Sequence, residues 1–129
     1  MLNIAAGVFL LLHGLVHGLY AGHSFGVFEL QPGLRWPEES WLLRPFFSRR
    51  SIRYLGGILL GLVGMGFLGS GAGFLLSAGW WRGLLFLSTA ISSGIYVLFW
   101  NGHFSQLPDQ GLIALGINGG ILLLLIVGG

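Results

Sequence analysis

The chain has 129 residues, of which 54% are hydrophobic and 8% are charged, whereas about 25% of residues are charged in ordinary soluble domains. With so little polar surface and a net charge of only +2, composition excludes a soluble enzyme, a nucleic-acid binder and a disordered tail. There is no Cys, which excludes disulfides, thiolate metal sites and iron–sulfur clusters. What remains is a polytopic membrane protein, with residues 1–129 forming a single transmembrane domain.

The first predicted span covers residues 2–22, an apolar stretch that contains no charge but does contain His13 and His17. A spanning helix needs about 20 apolar residues, so the length suits one crossing. The stretch has neither a basic leading region nor a small-residue cleavage pattern, and we interpret it as a retained helix rather than a signal peptide.

The first loop is the only sizeable polar segment, and it has some helical character. Pro37 is followed by Glu38 and Glu39, and proline and acids are favoured in a first helical turn. We therefore expect a short helix over residues 37–44 in the membrane interface, ended by Pro45. The alternative is an aromatic-rich loop folded over the mouth of the bundle.

The rest of the apolar sequence divides into spans over residues 52–72, 80–100 and 111–127. Clustered Gly and Ser residues between positions 71 and 80 predict the break between the second and third spans, and Ser48 is a candidate cap for the second. The apolar runs are continuous rather than alternating, which argues against strands. The predicted fold is all-α: an integral membrane, antiparallel four-helix bundle with a short interfacial helix in the first loop.

Arginine placement predicts the orientation in the membrane. The loop-one and loop-three side contains five arginines: Arg35, Arg44, Arg49, Arg50 and Arg53. The opposite side contains only Arg82. Positively charged loops stay in the cytoplasm, so we expect an inner-membrane protein with both termini extracytoplasmic.

Glycine is abundant, with 24 copies, and several recur at helical spacing. Such stripes let helix backbones approach closely. We expect Gly14, Gly18, Gly57 and Gly61 to lie at close helix contacts. The same stripes could serve a homo-oligomer or a contact with other membrane subunits.

Several polar side chains are predicted at one depth. Counting about 1.5 Å per residue from the loop-one side places the following residues in one layer: His13, His17, Ser92, Ser93, Tyr96 and Asn118. His13 and His17 are four residues apart and share a helix face. We expect His23 and His103 at the mouth of this layer.

Three interpretations of the layer stay open. It could be hydrogen-bond glue between helices, or a site for catalysis or proton-coupled transport. It could also bind a cofactor or ligand: a tetrapyrrole, a quinone, or a metal held by His13 and His17. Two imidazoles on one helix cannot clamp a haem from both faces, whereas a five-coordinate tetrapyrrole or a quinone bonded by His and Tyr is easier to build.

Residues 12–17, with the sequence LHGLVH, resemble the L-H-G-x-x-H start of a broad set of small prokaryotic four-span membrane proteins. Residues 100–104, WNGHF, and the later Asn118 are similar to the third loop and fourth span of that set. A looser likeness, in size and helix count, is to four-span proteins of the DoxX type. The resemblance implies the four-span fold and a shared polar layer, but no activity.

Together these patterns favour an accessory subunit of a redox, photosynthetic or transport assembly that is not catalytic by itself and holds a cofactor or ligand in the polar layer. Its expected partners are the lipid bilayer and either other membrane subunits or further copies of the chain, with no nucleic acid. The alternative is a small membrane enzyme or proton-coupled transporter that uses His13 and His17.

Overall fold

The computed structural model describes residues 1–128, and within them it is helical, with no strand. The α-helices are α1 (Leu2–Ser24), α2 (Arg49–Leu75), α3 (Trp81–Leu98) and α4 (Leu112–Val127), with two 3-10 turns, Phe104–Gln106 and Pro108–Gln110, before α4. The all-helical prediction and the count of four helices are confirmed.

Three of the helices, α1, α2 and α3, are long and apolar enough to cross a membrane. The fourth, α4, is also apolar but has 16 residues. At 1.5 Å per residue it is about 24 Å long, somewhat less than the roughly 30 Å hydrocarbon core of a bilayer. The two 3-10 turns directly precede α4.

Local sequence sets the helix ends. Ser48 caps α2 as predicted, because its side chain accepts a hydrogen bond from the Ser51 backbone N–H. The break between α2 and α3 falls at residues 76–80, inside the predicted interval. Gly111 caps α4 with a φ of +104°, and any Cβ there would collide with the ring of Tyr96.

Consecutive helices pack side by side and alternate in direction. At one end, the Trp41 backbone N–H of loop one donates to the Trp100 carbonyl at the start of loop three, at 2.8 Å. At the other end, the Arg82 guanidinium donates to the Leu125 and Gly128 carbonyls at the end of α4. Loops one and three therefore share one end of the molecule, as the sequence predicted.

The backbones of α1 and α2 approach closely at Gly14 and Gly64. A Cβ on Gly14 would lie 2.8 Å from the Gly64 carbonyl oxygen, which confirms Gly14 as a packing glycine. Gly18 differs: its backbone nitrogen would lie 3.3 Å from a Cβ on Gly64, but a Cβ on Gly18 itself would meet nothing within 4 Å. A Cβ on Gly57 would lie 3.0 Å from ring atoms of Phe25, which is a tight contact. A Cβ on Gly61 would meet only the Ala21 Cβ, at an ordinary 3.9 Å. These differences depend on how each helix is rotated about its axis, which the spacing of glycines in the sequence does not show.

Loop one, residues 25–48, contains turns rather than the helix expected over residues 37–44. A helix would bond the Trp41 N–H to the carbonyl of residue 37, but this N–H donates to Trp100 in loop three instead. The Ser40 hydroxyl likewise donates to the Leu98 carbonyl at the end of α3. These long-range bonds hold loop one over the end of the bundle, and Pro45 provides no N–H to continue a helix.

Large apolar side chains are exposed on the outer faces of the helices. Examples are Leu12, Leu15, Ile58, Leu62, Met65, Leu87, Ile91, Leu123 and Leu124. The interior is small, and its fully buried large side chains include Phe67, Phe99, Ile52 and Leu60. The core also holds a group of buried polar side chains.

Candidate functional site

Four buried polar side chains join three helices in one hydrogen-bonded group, which we call the polar network. His13 and His17 come from α1, Ser92 from α3 and Asn118 from α4. His17, Ser92 and Asn118 have no exposed surface, and His13 is 7% exposed. The structure thus brings together four of the six residues that the sequence placed in one layer.

The bonds of the polar network close into a ring. The His17 Nδ1 lies 2.9 Å from the His13 carbonyl oxygen, which can only accept, so Nδ1 carries the hydrogen. In the neutral imidazole, Nε2 of His17 is then an acceptor, and the Ser92 hydroxyl donates to it at 2.8 Å. Ser92 Oγ in turn accepts from the Asn118 amide at 2.8 Å, and Asn118 Oδ1 accepts from Nε2 of His13 at 3.2 Å. Every donor in the ring therefore faces an acceptor.

Aromatic rings enclose the polar network. Phe67 of α2 lies 4.6 Å from the His13 ring and 5.0 Å from the His17 ring, centroid to centroid. On the other side, Tyr96 of α3 meets His17 edge-on at 6.0 Å. The low polarity of these neighbours strengthens the hydrogen bonds that the network makes.

A cavity of about 360 Å³ lies beside the polar network, between α1 and α4; we call it the inner cavity. Its walls include His13, His17, Tyr20, Trp36 and Tyr96. Trp36, from loop one, stacks on Tyr96 at 5.2 Å and meets Tyr20 edge-on at 5.5 Å. The inner cavity is therefore walled by polar groups on one side and by stacked aromatic rings on another.

Trp36 has a buried donor with nothing to donate to. The side chain is 4% exposed, and its indole N–H is the one buried side-chain polar atom without a hydrogen-bond partner among residues 1–128. Leaving such a group unpaired costs about 1–3 kcal/mol, so an acceptor from outside the chain would stabilise this side chain.

Tyr96 contacts the polar network through the His17 ring, whereas the other three predicted site residues lie apart from it. Ser93 bonds only to the Thr89 carbonyl of its own helix, at 2.9 Å. His23 is 3% exposed rather than open at a mouth, and its Nδ1 faces the Leu30 N–H at 3.4 Å. His103 is exposed in loop three and lines a polar cavity of about 290 Å³, together with Arg35, Glu39 and Trp36. Trp36 thus lines both this outer cavity and the inner one.

The two imidazoles do not suit a shared metal ion. Nε2 of His17 already accepts from Ser92, and Nε2 of His13 carries the hydrogen that it donates to Asn118. A metal bound by both would have to break at least the bond between His17 and Ser92. Within residues 1–128, no three His, Cys, Asp or Glu side chains come together as a metal-binding group.

Sequence reasoning missed Phe67, Tyr20 and Trp36. At the level of the polar network, α2 presents Gly64 and Phe67. Tyr20 lies three residues after His17, a spacing that points to a neighbouring part of the same helix face. Trp36 gave no such indication, because the fold of a loop places it.

Comparison with protein-family models, with curated proteins and with solved structures finds no match for this chain. The resemblance of residues 12–17 to small four-span membrane proteins therefore stays a prediction. Ligand binding at the polar network also stays a prediction.

Proposed function

We propose that the chain is a small integral membrane protein of the inner membrane, with loop one in the cytoplasm and both termini outside. The support is threefold: three helices of spanning length, apolar side chains exposed on the outer helix faces, and arginines concentrated at the loop-one end. Lipid is the solvent that suits those exposed faces.

We further propose that it holds a small lipophilic cofactor or ligand in the inner cavity. The observation that carries this proposal is that Trp36, whose buried indole N–H is unpaired, belongs to the wall of a cavity that adjoins the polar network. Interhelical glue alone needs neither a cavity nor an unpaired donor. The volume, about 360 Å³, lies at the lower end of the range of roughly 300–1,000 Å³ for small-molecule sites.

Binding rather than catalysis is the favoured role. The ring of hydrogen bonds uses the Ser92 hydroxyl and both Nε2 atoms, so none of these three atoms is free to act on a substrate. Because these atoms are already paired with one another, the side chains of the network keep their positions and can hold a ligand beside them. Together with the exposed apolar faces, this supports a non-catalytic accessory subunit that packs against other membrane chains or further copies of itself.

The test is to purify the protein in mild detergent, record its visible spectrum, assay metals, and identify small molecules in an organic extract by mass spectrometry. We expect about one organic ligand per chain. Trp36→Phe should lower ligand occupancy, whereas Trp41→Phe, a matched change in the same loop, should not, because the Trp41 indole donates to the Val97 carbonyl. Extracts without a stoichiometric ligand in the unaltered protein would contradict the proposal.

A second candidate function is a small membrane enzyme. The hydroxyl of Ser92 lies 2.8 Å from Nε2 of His17, which is the distance of a serine–histidine nucleophile pair. Against it, Ser92 is fully buried and also accepts from Asn118. A fluorophosphonate probe separates the two candidates: covalent labelling at Ser92 would favour the enzyme, and no labelling favours the binding role.

A further inference from the structure

The seam between α1 and α4 is loosely closed. These helices are joined by the bond from His13 to Asn118 but do not pack along their length, unlike α1 with α2 or α3 with α4. The inner cavity occupies the loop-side part of the seam. A second cavity, about 220 Å³, occupies the part near the chain termini; we call it the apolar cavity.

The two cavities are chemically different and adjacent. The inner cavity contains imidazole, indole and phenol groups and has no charged side chain in its wall. The apolar cavity is lined by hydrocarbon groups, with Ala6 and Leu10 on α1 and Ile121 on α4. Arg82 reaches its edge, but the guanidinium donates to carbonyls at the end of α4. Phe9 lines both cavities, so one elongated molecule could occupy them in succession.

The polar groups of the side chains that line the inner cavity define the head of that molecule. The Trp36 indole N–H can only donate, and the phenols of Tyr20 and Tyr96 are also donors. A head with acceptor oxygens therefore fits. It is neutral, because no cation lines the cavity to pair with an anion. It is flat, because stacked aromatic rings form one wall.

From this chemistry, and resting on the proposed function, we infer that the ligand is an isoprenoid quinone. Its ring occupies the inner cavity with a carbonyl oxygen on the Trp36 N–H. Its apolar tail runs along the seam, past Phe9, into the apolar cavity. The inference concerns binding only. The quinone can reach the site either from the lipid pool or from a partner subunit.

The experiment separates ring from tail. Purified protein in detergent, freed of endogenous ligand, is titrated by calorimetry with a dimethoxy-methyl-benzoquinone that carries a two-isoprene tail, and with the same ring without a tail. We expect the tailed quinone to bind about tenfold more tightly, which is about 1.4 kcal/mol. Loss of one neutral hydrogen bond in Trp36→Phe should weaken both compounds about fivefold.

Ala6→Phe tests the tail route. Ala6 is exposed on α1 and lines the apolar cavity, so a phenyl group there fills the cavity without burying a new group in the core. It should abolish the advantage of the tailed quinone and leave binding of the tailless ring unchanged. Ala5→Phe is the matched control: Ala5 is also exposed, lies one position away, and lines neither cavity.

The outcomes distinguish this inference from the proposed function. If the affinity for quinone changes neither with the tail nor with Ala6→Phe, the tail route is wrong. Failure of quinone to bind, with a different stoichiometric molecule in the extract, would overturn the quinone but keep the ligand site. Failure of quinone to bind and an empty extract would overturn both.

Discussion

A single backbone carbonyl orients the polar network. Because the His13 carbonyl can only accept, it assigns the hydrogen of His17 to Nδ1, and the direction of each following bond through Ser92 and Asn118 depends on that assignment. Ser92 has a central position, since its hydroxyl accepts one bond and donates another. Its neighbour Ser93 has the same chemistry and almost the same depth but bonds only within α3.

Ser92→Ala should therefore destabilise the protein more than Ser93→Ala does. Removing the Ser92 hydroxyl leaves a buried Asn118 amide and a buried His17 nitrogen without partners, and we expect a loss of about 1–2 kcal/mol in the free energy of unfolding. Ser93→Ala should stay within about 0.5 kcal/mol. Thermal unfolding in detergent, followed by circular dichroism, measures both; equal shifts would contradict the ring of hydrogen bonds.

At the scale of the helix, close packing is confined to one face of α1. Gly14 faces the backbone of α2, and an added Cβ would lie 2.8 Å from the Gly64 carbonyl oxygen and 2.9 Å from the Leu68 nitrogen. Gly18, one turn later, has open space where its side chain would be. Backbone atoms cannot move aside as the end of a flexible side chain can, so the two glycines differ in what they tolerate.

Gly14→Ala should lower the free energy of unfolding by about 1–3 kcal/mol, because the methyl group forces α1 away from α2. Gly18→Ala should be neutral or stabilising by up to about 1 kcal/mol, because alanine favours a helix more than glycine does. The same substitution one turn apart provides its own control, again by thermal unfolding in detergent. Destabilisation by Gly18→Ala as large as that by Gly14→Ala would show a different rotation of α1.

At the scale of the whole molecule, both connecting loops of the Arg-rich end lie together and are tied to each other. Arg53 of α2 donates to the His23 and Ser24 carbonyls at the end of α1 and forms an ion pair with Glu38 of loop one at 3.1 Å. The opposite end has the short connection at residues 76–80 and the charge of Arg82. The charge asymmetry along the bundle axis is thus a property of the folded molecule as well as of the sequence.

Reporter fusions should show on which side of the membrane each end of the bundle lies. Alkaline phosphatase fused after residue 129 should be active, and green fluorescent protein fused there should be dark, because the positive-inside rule places loop one in the cytoplasm. Fusion to a chain truncated within loop three, at residue 105, should give the opposite pattern. A fluorescent C-terminal fusion would reverse the proposed orientation without altering the fold.

The sequence by itself determined the four helices, the cap at Ser48, the break between α2 and α3, and the common depth of His17, Ser92 and Asn118. These properties depend on apolar length, on local capping and on a constant rise per residue, all of which are local. They place a residue along a helix axis but say little about its direction around that axis.

Only the tertiary structure decided which side chains face one another. It separated Ser92 from Ser93 and Gly14 from Gly18, and it brought Phe67 to the polar network, because helix rotation depends on the packing of whole faces. It also replaced the expected loop-one helix with turns, since the Trp41 N–H found its acceptor 59 positions away at Trp100 rather than four positions back. The place of Trp36 in the wall of the inner cavity follows from that long-range bonding, which no local pattern contains.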